Sequence, residues 1–215
     1  MRLSLKLLPM AMVFAFLAAC SSARPAEEPK PAQCTLECYT VSAKAHYAEA
    51  LDLVRAQVPD AFLVRIDVVF HCTPNAIEPI RLEYRFESES TPTKSHHITF
   101  TDSKDPGYQQ FQHPVRDWTP IAEEDWLLDS ADALAIAKVH GGCEFFKRWE
   151  SDFTNPPTSI GSTRMRLERG RPGEASGTGP VQWSVGYSLF WPDRTFVVYI
   201  DALTGQITEI VRREP

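Results

Sequence analysis

The sequence predicts an α+β fold in which a helix packs on a small antiparallel sheet. An amphipathic helix is indicated over residues 42–58, because apolar side chains recur at helical spacing at positions 47, 50, 51, 54 and 58. Ser42 is a suitable N-cap, and Pro59 cannot continue the helix. Segments of alternating apolar and polar residues follow it, and the same order of helix and strands returns after residue 129.

The alternating segments place the strands of both halves. In the first half they cover residues 64–70, 81–86 and 97–101. Residues 102–118 are predicted to be irregular, because Pro106-Gly107 is typical of a turn and Pro114 interrupts regular structure. In the second half a helix is predicted from Asp129 or Ser130 to His140, ending at Gly141-Gly142. Strands are then predicted at 165–169, 181–189 and 196–201.

The N-terminus resembles the signal of a bacterial lipoprotein. Arg2 and Lys6 precede an apolar run from Leu7 to Ala19, which is too short to cross a hydrocarbon core of roughly 30 Å. The run ends in Leu17-Ala18-Ala19-Cys20, a sequence similar to a lipobox. This resemblance implies cleavage after residue 19 and acylation of Cys20, with palmitate as the expected type of chain. The alternative is an ordinary secretory signal that leaves Cys20 as an unmodified thiol.

The composition after the lipobox predicts a tether and an extracytoplasmic address. Residues 20–33 would form a lipidated cysteine followed by a disordered spacer, because Pro, Ala, Glu and Ser dominate and no large apolar side chain is present. Ser21 follows the lipidated cysteine, and in enteric-type sorting this favours the outer membrane, with the body in the periplasm. We expect modules at residues 34–118 and 119–215.

Four further cysteines, Cys34, Cys38, Cys72 and Cys143, predict two disulfides in an exported chain. Three pairings are open, and we favour those in which Cys34 and Cys38 each bond to one of the distant pair. The alternative is a copper or redox site, because the spacing of Cys34 and Cys38 resembles that of some envelope copper chaperones. Against a metal, His96 and His97 are adjacent in a strand, so their side chains point to opposite faces. We therefore expect no metal and no cofactor.

Charge and motifs limit the classes of function. Removal of residues 1–19 takes away two of the 22 basic side chains and none of the 28 acidic ones, so the mature chain has a formal charge of −8. Nucleic acid is therefore excluded as an expected partner. The sequence contains no Gly-x-Ser-x-Gly, P-loop, dinucleotide or His-Glu-x-x-His motif, and we predict that the protein is not an enzyme. The acidic run at residues 123–125 is interpreted as the start of a helix.

Residues 129–210 resemble a PepSY domain. The resemblance lies in the helix Ser130-Ala131-Asp132-Ala133-Leu134 and in a terminal hairpin that ends with Asp201-Ala202, Thr204-Gly205 and Ile207. Asp201, Thr204 and Gly205 are expected to be structural, since they suit a turn that leaves a strand. The resemblance implies a helix across an antiparallel sheet, as in PepSY or cystatin-like modules. Whether the first half is a diverged second copy is left open by the sequence.

The expected function is binding of another envelope protein without catalysis. In proteins with PepSY domains, the proposed roles are restraint of peptidases and binding of envelope partners, so we expect a peptidase, hydrolase or toxin as the partner, with inhibition as one form of the interaction. Trp149 and Trp191 are candidate contact residues, and core positions for both are the alternative. A structural envelope component is a third hypothesis. Oligomeric state is not predicted.

Overall fold

In the part of the chain that the structure describes, eight antiparallel strands form one continuous sheet, and three α-helices pack on one of its faces. The computed structural model describes residues 37–72, 80–101, 104–149, 161–170, 179–190 and 193–214. The first half contains α1 (Ala43–Arg55), β1 (Phe62–Val69), β2 (Arg81–Glu87), β3 (Lys94–Thr101) and β4 (Lys104–Gln112). The second half contains α2 (Ser130–Ala137), α3 (Cys143–Arg148), β5 (Gly161–Arg169), β6 (Val181–Phe190), β7 (Asp193–Asp201) and β8 (Ile207–Arg213).

The two halves meet at the centre of the sheet. Its strand order is β4-β3-β2-β1-β5-β6-β7-β8, so each half contributes four strands in mirrored order. β1 and β5 pair antiparallel, with Ile66 opposite Leu167. Each of these residues has an aromatic neighbour on the next strand, Tyr84 beside Ile66 and Trp183 beside Leu167. The α+β class is confirmed, but the sheet is larger than the small sheet that the sequence predicted.

Neither edge strand, β4 or β8, was predicted from the sequence. The prediction that residues 102–118 are irregular is wrong for β4, and β8 was not predicted. Pro106 lies within β4, where it is tolerated because an edge strand does not need every N–H for pairing. In β8 every position is at least partly exposed, so its sequence lacks the strong apolar alternation of a buried strand.

One hydrophobic core extends under both halves. Its aromatic centre includes Tyr84, Trp126 and Trp183, all fully buried. The indole N–H of Trp183 donates to the carbonyl of Leu128 at 2.9 Å, which fixes the chain just before α2. The N-termini of α1 and α2 also meet directly, because the carboxylate of Asp129 accepts hydrogen bonds from the hydroxyl of Ser42 and from the backbone N–H of Lys44. Packing and hydrogen bonding therefore join the halves.

The helix that begins at Ser130 ends at the glycine pair, and a second helix begins directly after it. The expectation that Gly141-Gly142 ends the first helix is confirmed, because His140 and Gly141 have non-helical φ and ψ and α3 follows them. Gly141 has φ of 112°, a conformation that suits glycine and produces the bend. Phe145 and Phe146 of α3 then reach the core.

Replacing Gly142 with alanine is expected to lower the free energy of unfolding by about 2 kcal/mol. A Cβ at this position would lie 2.7 Å from the ring of Tyr187 and 2.9 Å from the carbonyl oxygen of Ala137. Neither can move freely, because Tyr187 is fully buried and the carbonyl belongs to the backbone. Urea unfolding of the purified protein measures the change. Gly107→Ala is the control, since a Cβ there meets nothing within 4 Å. Equal stability of the two variants would contradict the packing described here.

The prediction of disulfides is confirmed for Cys38 and Cys72, which are bonded to each other. The bond ties the segment before α1 to the end of β1, beside a backbone bridge between Tyr39 and His71. Cys143 is also disulfide-bonded. The signal, Cys20, the tether and Cys34 lie outside the described residues. Within the described ranges, no helix is both long and apolar enough to cross a bilayer.

Candidate binding surface

Among the described residues, helices cover one face of the sheet, and no helix covers the other. Along each strand, alternate side chains such as Ile66, Tyr84 and Val198 point into the core beneath the helices. The residues between them point to the opposite side, which we call the open face. One row of the open face crosses seven strands in register, from β3 to β8, and consists of Thr99, Glu83, Asp67, Arg166, Ser184, Tyr199 and Glu209. None of the helices in the described ranges packs on this face.

Charged side chains occupy the centre of the open face. Asp67 lies between two arginines, 2.6 Å from Arg65 and 2.7 Å from Arg166, so its carboxylate links β1 to β5. Arg166 also lies 4.0 Å from Glu168. Burial raises the pKa of Glu168 above its ordinary value, although the neighbouring arginines oppose the shift. This network holds its charges in fixed positions, which suits recognition of a complementary charged surface.

A serine, a histidine and a glutamate form a hydrogen-bonded relay beside this network. The hydroxyl of Ser95 lies 3.1 Å from Nε2 of His97, and Nδ1 of His97 lies 3.0 Å from the carboxylate of Glu83. The hydrogen bond to His97 lowers the pKa of Glu83. Such an order of groups can activate a hydroxyl. Here, however, Ser95 is only 3% exposed, and the ring of Phe111 packs against His97 at 4.7 Å. These hydrogen bonds are therefore best suited to holding β2 and β3 together.

The open face is small and uncharged on β6 and β7, between the charged side chains of β5 and β8. Ser184, Gly186 and Ser188 follow one another along β6, and Thr195 and Val197 lie beside them on β7. A Cβ built at Gly186 would meet no atom closer than 3.6 Å, so nothing crowds the backbone at this point. Tyr199 is half-buried at one end of this area. The small side chains of this area allow a partner to approach the backbone closely. The area lies beside Tyr199 and next to the charged centre.

The segment after β4 crosses one end of the open face. Nε2 of His113 lies 2.8 Å from the carboxylate of Glu87, which is 98% buried and also pairs with Arg85. The guanidinium of Arg85 lies 4.7 Å from the centre of the Trp118 ring. A cavity of about 340 Å³ remains between this segment and the end of β2. The open face is thus bounded at this end.

The residues of the terminal motif form a closed turn after β7. The carboxylate of Asp201 accepts hydrogen bonds from the backbone N–H groups of Leu203 and Thr204 and from the hydroxyl of Thr204, at 2.7 to 3.1 Å. Gly205 has φ of 73°, and its N–H donates to the carbonyl of Asp201. These contacts give Asp201, Thr204 and Gly205 a structural role in the turn. The motif lies at the exit of β7, where Asp201 pairs with Gln182 of β6.

Of the two candidate tryptophans, Trp149 lies within the described residues. Trp149 packs against the hydrophobic core, and the guanidinium of Arg194 lies 3.4 Å from the centre of its ring. Trp191 lies outside the described residues. The open face was not predicted, although the polar positions of the alternating strands indicate it.

Cys38 and the acidic run at residues 123–125 both make contacts that stabilise the fold. The sulfur of Cys38 is part of the disulfide to Cys72, so it is not a thiol ligand in this structure. In the described ranges, no group of three or more His, Cys, Asp or Glu side chains is placed to hold a metal ion. Residues 123–125 form a single 3-10 turn, in which Asp125 accepts from the N–H of Ala122 and pairs with Arg169.

Comparison with known proteins does not identify a family for this chain. No family model and no curated protein matches the chain. A solved structure described as a "putative lipoprotein" from Clostridium difficile 630 is similar, with 10% identity and a TM-score of 0.47, over 78% of this chain and 92% of that chain. At these values the likeness carries no argument about function. The PepSY resemblance therefore depends on the residue pattern alone.

Proposed function

We propose that this chain is an outer-membrane lipoprotein that binds another envelope protein on the open face of its sheet. The bound protein would be a peptidase, a hydrolase or a toxin, and binding would inhibit it by covering its working surface. The body would consist of two PepSY-like modules, which accords with the two sets of one helix region and four strands on either side of the β1–β5 pair. Cys20 would carry the lipid anchor.

The observation that carries this proposal is the asymmetry of the sheet. The helices cover one face, whereas the other presents a fixed charged centre next to a small, uncharged area. Arginine and tyrosine are enriched at protein interfaces and among the few residues that dominate the binding energy there. Arg164 and Tyr199 are positioned on this face by the pairing of β5, β6 and β7.

Photo-crosslinking in intact cells tests the open face directly. We expect p-benzoylphenylalanine at Ser184 or Thr195 to yield one discrete adduct with an envelope protein, identified by mass spectrometry. The same probe at Leu53, an exposed position of α1 on the helical side, is the matched control and should yield none. If the adduct forms equally from Leu53, or if neither open-face position reacts, the proposed surface is wrong.

Metabolic labelling tests the anchor separately. The full chain expressed with its signal should incorporate radiolabelled palmitate and fractionate with membranes, because two or three acyl chains at about 0.8 kcal/mol per buried methylene hold a protein firmly to a bilayer. Cys20→Ser should abolish the label, whereas Ser21→Ala should retain it. Labelling that persists in Cys20→Ser would contradict the assignment of Cys20.

A further inference from the structure

The two edges of the sheet have unequal protection against pairing with another strand. β4 and β8 occupy equivalent places at opposite ends of the strand order. The β8 edge carries Glu209, Arg212 and Arg213, and charged side chains of this kind discourage edge-to-edge association. β4 begins with Lys104, Asp105 and Pro106, but its segment Tyr108–Gln112 has no charged residue and no proline, and all residues of this segment are exposed. Tyr108 and Phe111 are 40% and 49% exposed.

The hydrogen bonds of β4 show which backbone groups point outward. The N–H of His113 donates to the carbonyl of Thr93 at 2.9 Å, one pair beyond Lys94 and Gln112. Because hydrogen-bonded pairs alternate in an antiparallel ladder, Phe111 and Gln109 direct their backbone groups to β3. The backbone N–H and C=O groups of Tyr108, Gln110 and Gln112 therefore point away from the sheet. In the described structure no strand pairs with them.

We propose that this edge pairs with β4 of a second copy of the chain, across a two-fold axis at Gln110. The outward residues are spaced symmetrically about Gln110, so an antiparallel pair would place Gln110 opposite its own copy and Tyr108 opposite Gln112 of the second copy. Each of these pairs exchanges two backbone hydrogen bonds. On the open face, Phe111 would lie across from Gln109 of the second copy. No like charges meet along the segment, although each mature chain carries a formal charge of −8.

A second copy fits this edge better than an unrelated strand for two reasons. About Gln110, the outward backbone groups of one copy match those of the second copy, and no charged side chains oppose each other. A two-fold interface requires such a match. The two sheets would also become one continuous sheet whose open faces are adjacent. The contact is short, so the expected dimer is weak in solution, at the low end of interface sizes. The proposal is independent of the proposed envelope partner.

Cysteine crosslinking of the full chain tests the register. The Cα atoms of a hydrogen-bonded antiparallel pair lie about 5.5 Å apart, within reach of a disulfide. Gln110→Cys, expressed with the export signal, should form a covalent dimer on a non-reducing gel. Ile210→Cys places a cysteine on the exposed edge strand β8 and should stay monomeric. Absence of a dimer with Gln110→Cys, or equal dimer with Ile210→Cys, would overturn the proposal.

Sedimentation of the detergent-solubilised lipoprotein gives a second readout without new cysteines. The wild-type chain should shift from monomer to dimer as its concentration rises. Gln110→Lys places two ammonium groups opposite one another and should weaken the dimer at least about tenfold, while Ile210→Lys should leave it unchanged. A wild-type chain that stays monomeric up to about 1 mM, a concentration high enough to populate even a weak contact, would contradict the proposal.

Discussion

Asp129→Ala is expected to lower the free energy of unfolding by about 3 kcal/mol, the largest effect on stability that we expect of a single substitution. The carboxylate accepts hydrogen bonds from three residues. They come from the N–H of Ser130 at 2.7 Å, the hydroxyl of Ser42 at 2.6 Å and the N–H of Lys44 at 3.1 Å. One of these residues, Ser130, also donates its hydroxyl at 3.3 Å. One carboxylate therefore caps α2 and also satisfies the start of α1, which is remote in sequence. Alanine would leave donors at both helix ends without their partner.

Asp132→Ala provides the matched control for this prediction. Asp132 is exposed in the first turn of the same helix, so its removal costs at most the interaction with the helix dipole, less than about 1 kcal/mol. Urea unfolding followed by circular dichroism measures both variants. A loss at Asp129 no greater than that at Asp132 would show that the two helix ends do not depend on the shared carboxylate.

Removal of the Cys38–Cys72 disulfide should have an effect of similar size. The bond closes a loop with a sequence separation of 34, and the loss of loop-closure entropy in the unfolded chain predicts a stabilisation of about 4 kcal/mol. The variant with both Cys38→Ser and Cys72→Ser isolates this bond, whereas a reducing agent would also act on the disulfide at Cys143. We expect the urea midpoint of the double variant to fall, with the native circular dichroism spectrum retained.

A thiol assay gives an independent check of the same bond. Under denaturing, non-reducing conditions, wild-type protein should show no reactive thiol at Cys38 or Cys72, and peptide mapping should recover the two residues in one crosslinked fragment. Labelled thiols at both positions in freshly prepared protein would contradict the disulfide. They would also revive the copper or redox alternative, which needs a free sulfur at Cys38.

The elements with a buried face could be predicted from the sequence, and those at the edges could not. α1 was placed by its apolar stripe and by Ser42, and β6 by the alternation from Val181 to Tyr187. β4 and β8 have exposed positions on both faces, so the periodic signal is weak. The continuous sheet was also missed, because pairing of β1 with β5 depends on register between segments about 100 residues apart.

The candidate site was predicted less well than the fold for a related reason. Sequence motifs drew attention to Asp201, Thr204 and Gly205, which form a turn, and to Trp149, which packs on the core. The open face has no motif, because its members come from many strands and are assembled only by cross-strand register. Asp67 and Arg166, for example, are an ion pair separated by 99 positions.

The affinity of the crosslinked envelope protein for altered open faces tests the central claim most directly. Once that protein is identified, its dissociation constant should rise at least about 100-fold for Ser184→Arg, which places a long charged side chain in the small, uncharged area. Leu53→Arg on the helical side adds the same group and should change the constant less than about threefold. Both variants should unfold like the wild type. Equal affinity of the two variants would contradict binding at the open face.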